Sequence, residues 1–150
     1  MTISVETTNP KQPEARALLQ QSHALMQSLY PEESCHYFSV DALCGDEVTF
    51  VTAKIEGKIM GCGAIARRDD YIEIKSMFVD PTARGQKLAQ HILDHLITLS
   101  RTEGFSSVKL ETGDGLDAAH ALYYKYGFAD CGPFGDYKLD PHSIFMEKTL

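Results

Sequence analysis

The stretch "VDPTARGQKLAQHI" (Val79–Ile92) decides how the chain reads. An apolar run ends in Asp80-Pro81, and an amphipathic segment begins after a turn carrying Arg84, Gly85 and Lys87. The first turn of a helix leaves about four backbone N–H groups without partners, which a Ser, Thr or Asp side chain normally caps. Here small, basic and flexible residues stand there instead. Amides converging at an uncapped helix start, with the helix dipole behind them, suit a guest that brings negative charge. On these residues alone a plain glycine-containing helix start is the readier reading.

Outward from this stretch, "YIEIKSMFV" before it alternates as a strand, and Leu88, Ile92, Leu96 and Leu99 after it recur at helical spacing until Gly104. Upstream, "VTFVTAKIEGKIMGCGAIARRDDYIEIKSMFV" holds three strands broken at Glu56-Gly57 and at Arg67 to Asp70, an antiparallel meander. "ISVET" begins a short strand, and "PKQPEARALLQQSHALMQSLYP" is a helix with Leu18, Leu25, Met26 and Leu29 on one side. "EESCHYFSVDALCGDE" reads as loop with a fragment of helix. Downstream, "SSVKLET" is a strand, "LDAAHALYYKYG" a helix stopped by Gly127, and "SIFMEKTL" a last strand. A strand, a helix and another strand in this order form a crossover whose strands run parallel and adjacent, so the sheet is mixed.

Bulk properties exclude several classes. A chain of 150 residues with 43% hydrophobic residues has the length and apolar content for one cored domain, spanning 1–150. A formal charge of −7 argues against nucleic acid as a partner. No apolar run reaches membrane-spanning length, and the start lacks a signal-peptide pattern. The four cysteines form no CxxC pair, which fits reduced thiols in a cytoplasmic protein.

Two motifs are rejected on context. "GCGAIA" (Gly61–Ala66) has the spacing of a dinucleotide fingerprint but is followed by charged residues and another strand, so it is read as close-packing glycines. His91 and His95 lie one helical turn apart without an HExxH or a third ligand, so no metal is expected.

With these elements in order, the chain resembles the GNAT superfamily of acetyl-CoA-dependent N-acetyltransferases. Arg84, Leu88 and Ala89 match the superfamily's cofactor loop, with Lys87 at its usual glycine, and "ALYYKYGF" looks like its L-Y-x-x-x-G-F signature through Leu122, Tyr123, Gly127 and Phe128. "GCGAI", "EIKSMFV", "LETG", "CGPFGDY" and "DPHSIFMEKTL" are similar to a bacterial branch in which some members are labelled indole-acetic acid acetyltransferases. The resemblance implies an α+β GNAT (acyl-CoA N-acyltransferase) fold: a mixed, mostly antiparallel sheet with one parallel, splayed strand pair and flanking helices. It also implies direct acetyl transfer from acetyl-CoA to a small-molecule or peptide amine in a ternary complex, and suggests a homodimer. The rival is a non-catalytic acyl-CoA-binding or sensing domain.

Residue by residue, the resemblance implies that backbone groups of Met77, Phe78 and Val79 meet the pantetheine arm. Amides from Arg84 through Gly85, Gln86, Lys87, Leu88 and Ala89 would wrap the diphosphate. Lys87 would either shift the turn or swing outward, and Leu116 stands where an Asn is common. Tyr123 would protonate the leaving thiolate; its alternative is helix packing. The amine must lose a proton, and two carboxylates are candidates for the base. Strand alternation puts Glu73, Lys75, Met77 and Val79 on one face, with Glu111 ending the neighbouring strand, so both carboxylates are expected to overlook the gap between strands. A salt bridge to Lys75 or an Arg is the alternative for Glu73, and a structural hydrogen bond for Glu111. His36, Tyr37, Asp136, Tyr137 and His142, from the "SCHYF" and "CGPFGDYKLDPHS" loops, are candidate lining of the acceptor pocket.

Overall fold

Turn chemistry and alternation lay down the first sheet strands: β1 (Ile3–Thr7), β2 (Val48–Ile55), β3 (Lys58–Arg67) and β4 (Ile72–Val79), each antiparallel to the next. The protein is described by a computed structural model covering residues 2–150; Met1, in the expected 1–150 domain, lies outside the described residues. Glu56 and Gly57 both take positive φ, 50° and 80°, the geometry that a two-residue hairpin between twisted strands demands.

Three helices follow the expected positions: α1 (Pro13–Leu29), α2 (Leu88–Thr102) and α3 (Asp117–Lys125). Pro13 opens α1, and the Gln12 side chain caps it by accepting from the Ala15 amide at 2.7 Å. Its buried stripe is Ala15, Leu18, Leu19 and Ser22, whereas Leu29, expected on that side, is 49% exposed in the last turn. Along α2, Leu88, Ile92, Leu93, Leu96 and Ile97 are buried. The remaining strands are β5 (Ser107–Gly113), β6 (Ala129–Cys131) and β7 (Ser143–Thr149). β6 was not expected; three residues give no periodicity to read.

All seven strands join one sheet in the order β1-β2-β3-β4-β5-β7-β6, with β4 and β5 the parallel pair. The α+β architecture read from the sequence is the one found. One face packs α2 and α3 over a core of Val51, Ile65, Ile72, Ile74, Leu110 and Met146; the other packs α1 over Phe50, Cys62, Ala64 and Phe78.

The glycines of "GCGAI" set how near α2 comes. A Cβ on Gly61 would lie 3.0 Å from Ile92 Cδ1, and one on Gly63 would lie 2.8 Å from both Ile92 Cγ2 and Met77 Sδ. These glycines therefore admit a helix, as the close-packing reading expected. Gly63→Ala should destabilise the protein by about 1–3 kcal/mol in urea unfolding, because the core side chains must move to admit the methyl. Gly132→Ala, whose Cβ meets nothing within 4 Å, should stay within about 0.5 kcal/mol of wild type.

Candidate active site

The parallel pair is short. β4 and β5 are in register only at Ile72↔Val108, Glu73↔Lys109 and Ile74↔Leu110. Beyond these, β4 stays paired with β3 as far as Val79, and β5 with β7 as far as Gly113, so the two strands part. A β-bulge bends β4 at the same place: Cys62↔Phe78 and Ala64↔Lys75 enclose one more residue on β4 than on β3, and Ser76 takes φ 58°.

The bulge corrects the expected alternation. Glu73, Lys75 and Phe78 face α1, while Met77 and Val79 join Ile72 and Ile74 against the α2 core. Glu73 is also paired across to Lys109, before the strands part, and it does not line the gap. The expectation that both carboxylates overlook the gap therefore holds for Glu111 alone.

A cavity of about 120 Å³ fills the gap, and its walls include Lys75, Ser76 and Met77 of β4, Glu111 of β5 and Tyr123 of α3. Tyr123 is 6% exposed. Gly127, at φ 91°, ends α3 so that the Phe128 amide reaches the Tyr123 carbonyl at 3.0 Å and the two rings pack edge to face at 5.7 Å. The "YGF" signature thus holds the tyrosine in place.

On one side the cavity shares Met26, Met77 and Leu116 with a groove of about 490 Å³, lined by Met77, Phe78, Val79 and Arg84 against Gly115 to Ala119. From Arg84 the chain enters α2 without a side-chain cap, and among the described residues the amides of Gly85 to Ala89 find no backbone acceptor. Lys87 adopts the left-handed conformation usual for glycine (φ 63°, ψ 24°), and its side chain is exposed. The turn therefore keeps its shape while the lysine swings outward. Leu88 is buried in the core, so only its backbone can serve a ligand. A row of free amides, an unpaired strand edge and a groove joining them fit a phosphorylated carrier with a peptide-like arm.

On the other side the cavity shares His36 and Tyr37 with a third hollow of about 500 Å³, which Asp136 and Tyr137 also line. His142 does not line it; its ring lies 5.9 Å from that of Tyr30. Sequence reading missed Arg68 here and gave Lys75 no part beyond a salt bridge to Glu73. Lys75 donates to the His36 carbonyl at 2.8 Å and to the Tyr137 hydroxyl at 2.9 Å, tying both loops to β4.

The model of the acetyltransferase (GNAT) family matches residues 14–128. This chain belongs to that family. It is 39% identical to an IAA acetyltransferase of Azospirillum brasilense over 99% of this chain and 98% of that one. It is 37% identical to the uncharacterized N-acetyltransferase YedL of Escherichia coli, covering 99% and 95%. Among solved structures, a Klebsiella pneumoniae protein proposed to be an acyl-CoA N-acyltransferase superposes with a TM-score of 0.83 at 29% identity, covering 99% and 98%. A Thermoplasma acidophilum N-acetyltransferase in complex with coenzyme A has the same fold, with a TM-score of 0.78, 16% identity and complete coverage of both chains. The chain is thus an acetyl-CoA-dependent N-acetyltransferase acting on an amine. No helix among the described residues is long and apolar enough to cross a membrane.

Electrostatics separates the acetyltransferase's two carboxylates. Glu73 is 2% exposed and saturated: Arg68 donates to Oε1 at 2.9 Å, Tyr137 to Oε2 at 2.6 Å, and Lys75 lies 3.6 Å from Oε2. This is the salt-bridge alternative. Glu111 has no ion pair among the described residues. Burial raises its pKa, opposed by the Ser143 hydroxyl, His36 and Lys75. Burial also lowers the Lys75 pKa, against the pull of Glu73 and Glu111, and pushes the Tyr123 phenol well above its ordinary value.

A carboxyl whose folded pKa is raised favours folding while protonated and opposes it once the pH rises through that pKa. Glu111→Gln should therefore raise the melting temperature at pH 8, with the gain shrinking to nothing near pH 4, where both side chains are neutral. Thermal unfolding across that range reads the difference directly.

Proposed function

We propose that residues 1–150 act as one catalytic domain in which acetyl-CoA and a small amine meet in a ternary complex at the β4/β5 gap. The observation that carries this reading is that Glu111 and Tyr123 line one cavity, entered from the carrier groove on one side and the loop-walled hollow on the other. Acetyl-CoA supplies an acetyl group activated as a thioester. Its arm would lie along Met77, Phe78 and Val79, with its diphosphate on the amides from Gly85 to Ala89; the Arg84 amide, expected in that row, instead donates to the Pro81 carbonyl, so Arg84 serves through its exposed side chain, which with that of Lys87 adds positive charge.

Glu111 is assigned as the base. Its raised pKa makes it a better proton acceptor than an ordinary carboxylate, and the neighbouring Lys75 charge disfavours the protonated amine. The neutral nitrogen attacks the acetyl carbonyl carbon, the C–S bond breaks, the Tyr123 hydroxyl gives its proton to the departing sulfur, and the N–H proton shed as the amide forms returns to the Tyr123 phenolate. Burial raises the phenol pKa but also penalises a thiolate in the same cavity, so desolvation alone does not make this transfer uphill. Cys35 is not the nucleophile in this scheme: burial raises its thiol pKa, and direct transfer needs no acyl-enzyme. The chemistry needs no metal.

The test is release of CoA thiol from acetyl-CoA with an amine panel. Tyr123→Phe should lower kcat by roughly 100-fold while the affinity for acetyl-CoA stays within about twofold. An unchanged rate would remove the acid role. Arg84→Ala with Lys87→Ala should weaken CoA binding more than pantetheine binding, whereas equal losses would place the diphosphate elsewhere.

A further inference from the structure

The hollow beside the gap contains a cation that the transfer step does not use. Arg68 meets Glu73 along one edge, with Nε at 3.3 Å and Nη2 at 2.9 Å from Oε1. Its Nη1 makes no hydrogen bond among the described residues, and the side chain is 35% exposed on the hollow. Glu73 is buried and also served by Tyr137 and Lys75, so Arg68 is not its only support. A guanidinium clamped along one edge by a buried carboxylate presents its opposite edge, and that planar fork matches a second carboxylate.

The other charges nearby leave this edge dominant. Asp136 lines the same hollow but is exposed, as are Asp69 and Asp70 in the turn after Arg68. Lys109 is drawn to Glu147 at 3.1 Å and sits 5.5 Å from the Tyr71 ring. Rings of Tyr37, Phe38, Tyr71 and Tyr137 wall the space, with the Arg68 guanidinium carbon 5.7 Å from the Phe38 ring centre. A hollow of about 500 Å³ suits a small molecule rather than a folded partner.

Register supplies a length. Glu73 lies opposite Lys109, and Glu111 comes two residues later on the same face of β5, since Lys109 and Glu111 alternate with buried Val108, Leu110 and Thr112. Two strand residues span roughly 6.6 Å, the backbone offset between the levels of Glu73 and Glu111, and this sets the scale of the site rather than an atom-to-atom distance. We propose that the acceptor is a small amine that also carries a carboxylate, held by the free edge of Arg68, with the two groups separated by a flat apolar body whose length is on the order of that strand span. This rests on Glu111 marking where the amine reacts. A free α-amino acid places its amine only about 2.5 Å from its carboxylate carbon and cannot bridge both points.

The probes are 4-(aminomethyl)benzoate, which has the required span, and benzylamine, which lacks the acid. Wild type should show a kcat/KM preference of roughly 10- to 100-fold for the carboxylated amine, the range expected for a hydrogen bond between charged groups. Arg68→Lys keeps a cation beside Glu73 but loses the fork, and should collapse that ratio; Arg68→Gln with Glu73→Gln should do the same without leaving the Glu73 carboxylate short of its arginine, while Lys75 keeps its bonds to the His36 carbonyl and the Tyr137 hydroxyl. A ratio near one in wild type, or one that both variants leave intact, overturns the proposal. Calorimetric binding of 4-methylbenzoate, which has no amine, separates this from the transfer reading. Arg68-dependent binding without CoA release from any amine would sink the transfer reading and keep the carboxylate site, whereas transfer without such binding would do the reverse.

Discussion

The functional architecture depends on a contest for backbone hydrogen bonds. β5 is paired with β7 along its full length, from Ser107↔Thr149 to Gly113↔Ser143, and β4 stays with β3 to Gly61↔Val79. The parallel pairing between them survives for only three residues. Parallel pairing is slightly weaker per residue than antiparallel, so it yields where the sheet bends. The extra residue near Ser76 bends β4 there, and the gap that opens holds the central cavity, flanked by the groove along Met77 to Arg84 on one side and the hollow walled by Tyr37, Tyr71 and Tyr137 on the other.

Glycine and serine make that bend tolerable in different ways. Gly61 and Gly63 let Ile92 and Leu88 of α2 come within close contact of β3, which supports the bulged strand from beneath. Ser76 holds a left-handed conformation that costs of order 1–3 kcal/mol for a non-glycine residue, and its hydroxyl is buried without a partner. Strain and an unsatisfied hydroxyl therefore meet at the wall of the cavity.

The two carboxylates on this face show how environment assigns different roles to one residue type. Glu73 sits in a closed network with Arg68, Tyr137 and Lys75, in which Tyr137 donates to the carboxylate and accepts from the lysine. Such a network, once satisfied, rigidifies its surroundings, and this one ties the His36 loop and the C-terminal loop to the sheet. Glu111 is half-buried and has no ion pair among the described residues, so desolvation raises its pKa.

Much of this was legible in the sequence because it is local. Helical spacing from Leu88, proline and glycine punctuation, the Glu56-Gly57 hairpin and the strand-helix-strand order each depend on neighbours a few residues away. Together they give the elements, the mixed sheet and the uncapped helix start. The family motifs added Tyr123 and the turn from Arg84 to Ala89. Tertiary structure alone decided the rest. The bulge at Ser76 moved Met77 and Val79 to the opposite face from Glu73, and no residue in "IEIKSMFV" announces it. Which carboxylate is saturated depends on Arg68 and Tyr137, which approach Glu73 from separate loops. A sequence determines what each short segment prefers, whereas partners for buried charges are settled only when distant segments compete for the same atoms.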